Sequence, residues 1–344
     1  MKLISAIIPS LHRPDLTAKC IQSLQNQTLG PDQWEVVVVE NEARPDNILR
    51  DPLPANVKRI LLTSNLGTSG SINRGVTSSA SEYILLLNND VVLAPNFLEL
   101  LISVMWDQKC GFATGKLLQG NNTALLDGAG DALLQGGGAY RLGHGDMDFG
   151  QFNTRACVLG GCGAAMLIRR SAFEKVAGLD EDFFAYLDDM DLALRLRVTG
   201  SDGVYVPQAI AYHLGSATLG HPRHPKIIYL LTRNQLLLIA KDYPAGVLLR
   251  SLPRILVFQL LWFAVVLREG RFVSYLRGVL SAFYCVPRML AKREMLRKIQ
   301  RITDVEFLEA LRASEKQILE WQRAIRSPNS RSEILRLYFW LFRP

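Results

Sequence analysis

Within its first ninety residues the chain carries four short runs of strand character, Leu3–Ile8, Glu35–Val39, Val57–Leu62 and Tyr83–Leu87, apolar for the most part, with Glu35, Lys58 and Arg59 as the charged members. A helically spaced segment over Pro14–Gln27 (Leu16, Cys20, Leu24) and a glycine-entered one over Thr68–Ser79 lie between them. Runs this short, apolar without strict alternation, are the mark of strands buried on both faces. Their alternation with helices predicts an α/β fold: a mostly parallel sheet with helices on both faces. In such sheets ligands gather beyond the carboxyl ends of the strands. Polar residues stand there after every run: Pro9-Ser10, Glu40-Asn41, Asn65-Leu66-Gly67 and Asn88-Asn89-Asp90.

Beyond this core the pattern loosens. Gly120–Gly150 is glycine-rich and reads as a long loop or short antiparallel strands. Leu159–Ile168 reads as a further strand, Asp188–Val198 as a helix, and Val204–His213 as a strand. From Lys226 the composition shifts to apolar helical stretches studded with arginine, which suggests a catalytic domain over 1–243 and a helical region over 244–344. A net charge of +7 favours an anionic partner, whether nucleic acid, nucleotide phosphates or an anionic membrane surface. Nucleic acid is disfavoured because the arginines border apolar stretches and do not alternate with exposed aromatics. Five scattered cysteines without a C-x-x-C pair fit reduced thiols in a cytosolic compartment. Met1–Pro9 reads as a buried strand and not as a signal peptide. Ile255–Leu267, interrupted by Gln259, falls short of the ~20 residues of a spanning helix, so no such helix is expected.

Three places carry chemistry. The turn Asn65-Leu66-Gly67-Thr68-Ser69-Gly70 joins a strand to a helix, and glycines there let a backbone approach an anion at the helix start; an ordinary strand–helix turn has the same composition. Asn89-Asp90 closes an apolar strand, and a carboxylate at that edge suits magnesium or manganese; a cap for the helix opening near Ala94-Pro95 is the alternative, disfavoured because such a cap would sit several residues later. Asp188-Asp189-Met190-Asp191 gathers three carboxylates at a helix start. Mutual repulsion there suits a general base. Asp191, four residues before Arg195, reads as structural, which leaves Asp189 or Asp188 as the base. His213 ends a strand and suits a metal, with His221 and His224 nearby in a proline-broken loop; three histidines as a zinc site is the alternative.

In this order, these pieces resemble family 2 of the inverting glycosyltransferases, of the GT-A fold, over roughly Lys2–Tyr243. The most specific stretches are Asn65-Leu66-Gly67 through Asn73-Arg74-Gly75, Leu87-Asn88-Asn89-Asp90, and Gly178-Leu179-Asp180-Glu181-Asp182-Phe183-Phe184 running into Asp188-Asp189-Met190-Asp191-Leu192. Within the family the chain looks most like the bacterial rhamnosyltransferase type, which builds polysaccharide on a lipid-linked acceptor. The resemblance implies nucleotide contacts at Pro9 and Glu40 and diphosphate contacts at Asn65, Gly67 and Asn73. It implies a divalent metal, manganese or magnesium, on Asp90 and His213, with Asn88 and Asn89 completing the donor-binding element and Asn88 standing where the family has an acid. It implies a general base at Asp189, with Asp188 in place of the family's glutamate. Gly215–Lys226, carrying Arg223 and Lys226, would be a lid over the phosphates. The donor expected from the subgroup is dTDP-rhamnose, with a uridine-linked hexose or galactofuranose behind it. A catalytically silent nucleotide-sugar binder is the competing class. A nucleotidyltransferase is disfavoured because Ser10-Leu11-His12-Arg13-Pro14 is no glycine- and lysine-rich phosphate loop.

In the C-terminal third, Ile255–Leu267 and Phe272–Leu290 are apolar helices edged by arginines, followed by the basic cluster Lys292, Arg293, Arg297, Lys298 and Arg301. Apolar stretches bracketed by arginine fit helices lying in a membrane interface, here the cytoplasmic face of the cell membrane, as a peripheral attachment. A helical appendage packed on the domain or in an oligomer interface has the same composition. Glu306–Ile325 reads as a further amphipathic helix, and Leu335–Phe342 is apolar.

Overall fold

The computed structural model describes residues 2–50, 52–107, 109–215, 224–324 and 332–343. The chain opens with β1 (Ile4–Ser10), α1 (Pro14–Gln25), β2 (Trp34–Glu40), β3 (Val57–Leu61), α2 (Gly67–Thr77) and β4 (Tyr83–Leu87). Then follow β5 (Val91–Leu93), α3 (Phe97–Val104), β6 (Cys110–Gln119), β7 (Asn122–Gly128), β8 (Asp131–Leu133) and β9 (Ala139–Arg141). β10 (Ala156–Val158), β11 (Ala165–Arg169), α4 (Arg170–Lys175), α5 (Asp188–Val198) and β12 (Asp202–His213) complete the sheet layer. Five helices close the chain: α6 (Pro225–Asp242), α7 (Ala245–Arg268), α8 (Phe272–Ile299), α9 (Asp304–Ala324) and α10 (Glu333–Leu341).

The main sheet has the order β10-β12-β6-β11-β4-β1-β2-β3, with β5 beside β12 and β7 beside β6. β4, β1, β2 and β3 run parallel, and β11 is inserted antiparallel between β4 and β6. This is the mixed, mostly parallel sheet that the apolar runs predict. β2 and β4 are buried at every residue because helices cover both faces. One face packs Ile8, Val38 and Leu85 against α1 and α3, and the other packs Ile7, Val37 and Leu86 against α2 and α5. Proline at the first position of α1 fits that helix start, where its missing N–H costs nothing.

The helical region is continuous with the domain. Phe183, Met190 and Leu194 share a core with Leu237, Tyr243, Val247, Phe307 and Leu311. The glycine-rich stretch resolves as short antiparallel strands: the hairpin β8–β9 packs Leu134 against Phe258 and Tyr338, and Leu133 N–H donates to Ser314 Oγ at 2.7 Å. Two expectations change. The strand over Leu159–Ile168 begins only at Ala165, because the Gly160 N–H and C=O pair with Asp131 and the Gly163 N–H donates to Asp189 Oδ2, outside the β4 and β6 ladders. The apolar run of Ile255–Leu267 belongs to the 24-residue α7, which passes through Pro253, so among the described residues one helix is long and apolar enough by length and composition to cross a membrane. All five cysteines are unpaired.

Candidate active site

At the carboxyl ends of β1 and β4 lies a cleft of about 670 Å³, the place where parallel-sheet proteins bind ligands. Of the residues singled out from the sequence, it is lined by Pro9, Asn65, Gly67, Asn88, Asn89, Asp90, Asp188, Asp189 and His213. Glu40 and Asn73 do not line it. The Glu40 carboxylate is buried and accepts the Leu49 N–H at 3.0 Å, fastening the loop after β2. The Asn73 amide donates to Leu179 O at 2.9 Å and accepts from Leu179 N–H at 3.0 Å. It thereby ties α2 to the segment ahead of the acid pair.

The turn into α2 is held from below by a residue given no role from the sequence. Asn41 Oδ1 accepts the Leu66 N–H at 3.1 Å, and its Nδ2 donates to Ser71 Oγ at 2.5 Å. Asn65 Oδ1 accepts the Gly67 N–H at 2.8 Å, an Asx-type turn that closes the loop. Gly67 has φ +73°, and a Cβ there would stand 2.2 Å from Phe184 O, so only glycine fits. Ser69 Oγ then donates to Asp188 Oδ2 at 3.1 Å, linking this turn to the acids.

Across the cleft the fold joins Asp90, after β4, to His213, at the end of β12. His213 Nε2 is 3.3 Å from Asp90 Oδ1, while Nδ1 is 2.8 Å from Asp127 Oδ2. Asp90 is not a helix cap: β5 intervenes and Asn96 holds the N-cap position of α3. Asp127 also takes Arg141 at 3.0 Å, and Arg141 reaches Asp131 at 3.3 Å. Burial works to raise the Asp127 carboxyl, but hydrogen bonds from His144 and His213 and the Arg141 charge outweigh it and hold it below the ordinary range. Burial works to lower His213, and its two carboxylate partners lift it to about 9. Asp131 is pushed up to about 6 by burial, which Arg141 only partly offsets. Asp127, Asp131 and Arg141 come from the glycine-rich stretch, where no periodicity marks them. His224 accepts from Lys226 N–H at the start of α6 and is no partner of His213; His221 and Arg223, with most of the lid segment, lie outside the described residues.

Asp127 holds one ring nitrogen of His213 and the other faces Asp90, so His213 and Asp90 could hold a metal between them with Asp127 as the orienting partner. Among the described residues no group of three or more His, Cys, Asp or Glu side chains is gathered as a metal cage. Asp90 and His213 would therefore be two protein ligands, leaving the rest to a diphosphate and water, as a hard cation such as magnesium accepts.

The acid pair opens α5. Asp188 is buried, and burial followed by the neighbouring Asp189 charge pushes its carboxyl up to about 7. Asp189 is half-buried; its Oδ2 accepts the Gly163 N–H at 3.0 Å and its Oδ1 the Met190 N–H at 2.8 Å. Asp191 points the other way, bonded to Arg195 at 2.6 Å and to Lys241, the structural part its i,i+4 spacing predicts.

The family model described as "Glycosyltransferase like family 2" matches residues 2–229. The chain belongs to this family. Among its relatives, the O-antigen biosynthesis protein RfbC of Myxococcus xanthus is 28% identical over 236 residues, 67% of this chain and 18% of that one. Rhamnosyltransferase WbbL of Escherichia coli K12 is 29% identical over 141 residues, 38% of this chain and 52% of that one. The N-acetylglucosaminyl-diphospho-decaprenol L-rhamnosyltransferase of Mycobacterium tuberculosis is 49% identical over 51 residues, 15% of this chain and 17% of that one. This family 2 chain thus spans no more than about half the length of each of these three relatives. The cleft falls almost wholly inside the matched residues, whereas most of α6 and all of α7–α10 fall outside them.

Proposed function

We propose that this family 2 protein is an inverting glycosyltransferase that moves a sugar, L-rhamnose from dTDP-rhamnose, onto a hydroxyl of a lipid-linked or polysaccharide acceptor. The observation that carries this reading is one cleft with three parts: the Asn65–Ser69 turn, the Asp90–His213 pair and the Asp188–Asp189 pair. The relatives named rhamnosyltransferase support the sugar, and the decaprenol-linked substrate of one of them supports a lipid-linked acceptor. Pro9 would meet the nucleotide, with Glu40 acting behind it on the loop it fastens. Asn65 and Gly67 would shape the turn that receives the diphosphate, beside Asn88 and Asn89, while Asn73 would brace α2 behind it. Asp189 takes the proton of the acceptor hydroxyl as that oxygen attacks the anomeric carbon and the bond to the nucleoside diphosphate breaks. The Gly163 and Met190 N–H groups fix the carboxylate's direction. A manganese or magnesium ion on Asp90 and His213 would supply charge neutralisation for the departing diphosphate. Asp127 keeps the His213 ring turned toward Asp90. The test is turnover by the purified chain of a panel of nucleotide sugars with a lipid-linked acceptor extract, with manganese and with chelator. Release of dTDP from dTDP-rhamnose alone, lost on chelation, is the expected result; release from a uridine donor only would overturn the sugar, and binding without release would favour a silent binder.

A second part of the proposal concerns location. Leu249, Leu252, Leu256 and Leu260 on α7, and Leu276, Leu280 and Phe283 on α8, recur at helical spacing and are 42–74% exposed. Arginines flank both rows, the pattern of helices seated in an anionic membrane surface, which would bring the cleft to a lipid-linked acceptor. Leu256→Glu with Leu260→Glu and Phe283→Glu should abolish sedimentation with phosphatidylglycerol vesicles while donor affinity stays unchanged. Unaltered sedimentation would sink the membrane reading, and a monomeric variant of a dimeric wild type would point to a subunit interface.

A further inference from the structure

We infer that Arg233 and Asn234, on α6 and beyond the residues matched by the family model, are positioning residues for transfer: they hold the chain ahead of Asp188 and Asp189 in the course that aims the acid pair. The segment they hold is under backbone strain. Phe184, Tyr186 and Leu187 have φ of 64°, 67° and 62°, the left-handed region that side chains rarely adopt, within four consecutive residues. Such a run persists only where the surroundings over-determine it.

The surroundings here are two side chains of α6. Asn234 is fully buried, and its Nδ2 lies 3.0 Å from Phe183 O, 2.9 Å from Ala185 O and 2.7 Å from Tyr186 O. Arg233 Nη2 donates to Asp182 O at 2.9 Å and Phe183 O at 2.8 Å, and Arg233 Nε donates to Asn234 Oδ1 at 2.9 Å. Four carbonyls between Asp182 and Tyr186 are thus satisfied from one turn of a helix. The carbonyl left over, Phe184 O, turns the other way, onto Ser69 N–H at 3.3 Å and against Gly67. The segment is clamped between α6 and the turn proposed to receive the diphosphate, and α5 starts where the clamp ends. Neither Arg233 nor Asn234 lines the cleft, so each would act through the segment it holds.

This inference rests on the reading of Asp188 and Asp189 as the acids of transfer, and its test separates the two. The full chain is compared with Asn234→Ala, with Thr232→Val (a buried α6 residue whose hydroxyl accepts from Trp262 Nε1 at 2.9 Å, away from the clamp) and with Asp189→Asn. Asn234→Ala is expected to lower kcat about 100-fold, the scale of a displaced catalytic group, with donor KM within about threefold. Hydrogen exchange at the Phe184, Ala185 and Asp191 amides should accelerate. Thr232→Val should lower the melting temperature to a similar degree and leave kcat and those amides unchanged. The inference is overturned if Asn234→Ala keeps wild-type kcat, or if Thr232→Val loses as much activity as Asn234→Ala. If Asp189→Asn and Asp188→Asn both turn over normally while Asn234→Ala still deprotects the segment, the acid-pair reading fails and takes the role in transfer with it. Dead acid variants beside a fully active Asn234→Ala would leave the acid pair standing and remove the clamp.

Discussion

Asp189→Asn is expected to slow transfer by about 10² to 10⁴-fold, the range a positioned general base contributes. Nucleoside diphosphate affinity, read by calorimetry, should stay within about twofold, because only the transition state uses the base. The substitution removes more than a charge. Two N–H donors, Gly163 and Met190, face the two carboxylate oxygens. An amide accepts only one of them and turns its own N–H₂ toward the other, so the side chain also loses its fixed direction. Asp188→Asn should behave differently. Burial, and then the Asp189 charge, disfavour the ionised form of Asp188 and push its carboxyl up to about 7. A folded value above the unfolded one means that the protonated acid stabilises the fold at low pH, and that this contribution fades as pH rises from about 4 through 7. Asp188→Asn should therefore melt above wild type at pH 8 and close to it at pH 5, with substantial residual transfer. If Asp188→Asn is dead and Asp189→Asn active, the base is Asp188 and the rest of the site stands.

Gly67→Ala should be the most damaging single methyl group in the domain. It meets two separate obstacles: φ of +73°, and a Cβ position 2.2 Å from Phe184 O and 2.7 Å from the Phe184 ring. The first costs about 1–3 kcal/mol at an ordinary site. The second cannot be relieved without moving the Phe184 backbone, four residues ahead of Asp188. Gly270, between α7 and α8, isolates the first term, with φ +67° and nothing within 4 Å of its Cβ position. Gly67→Ala should lower the melting temperature at least about 5 °C further than Gly270→Ala, and it alone should lose donor binding. Equal melting temperatures for the two variants would show that the turn yields easily and that the contact with Phe184 does not shape the site.

The layer of strands was legible because parallel strands buried on both faces must be apolar along their length. The runs ending at Ile8, Val39 and Leu87 therefore announced themselves, and the polar residues after them marked the cleft edge. The i,i+4 spacing of Asp191 and Arg195 likewise predicts a pair that the helix makes. The apolar run counted from Ile255 is shorter than α7, which starts at Ala245 and continues through Arg250, exposed, and Arg254, half-buried over the Phe342 ring.

Local sequence determined where the strands end, which turn needs glycine and where carboxylates crowd a helix start, because these follow from backbone geometry and repulsion over a few residues. Only the tertiary structure decided what those groups meet. It set Asp127 behind His213 from 86 residues away, Ser69 on Asp188 from 119, and Asn234 on a strained segment about 50 residues before it. It also turned Glu40 onto the loop after β2 and Asn73 onto Leu179, 106 residues away. Hydrogen bonds between distant segments leave no periodic trace in a chain, since each needs only one polar residue at each end and a fold to bring them together.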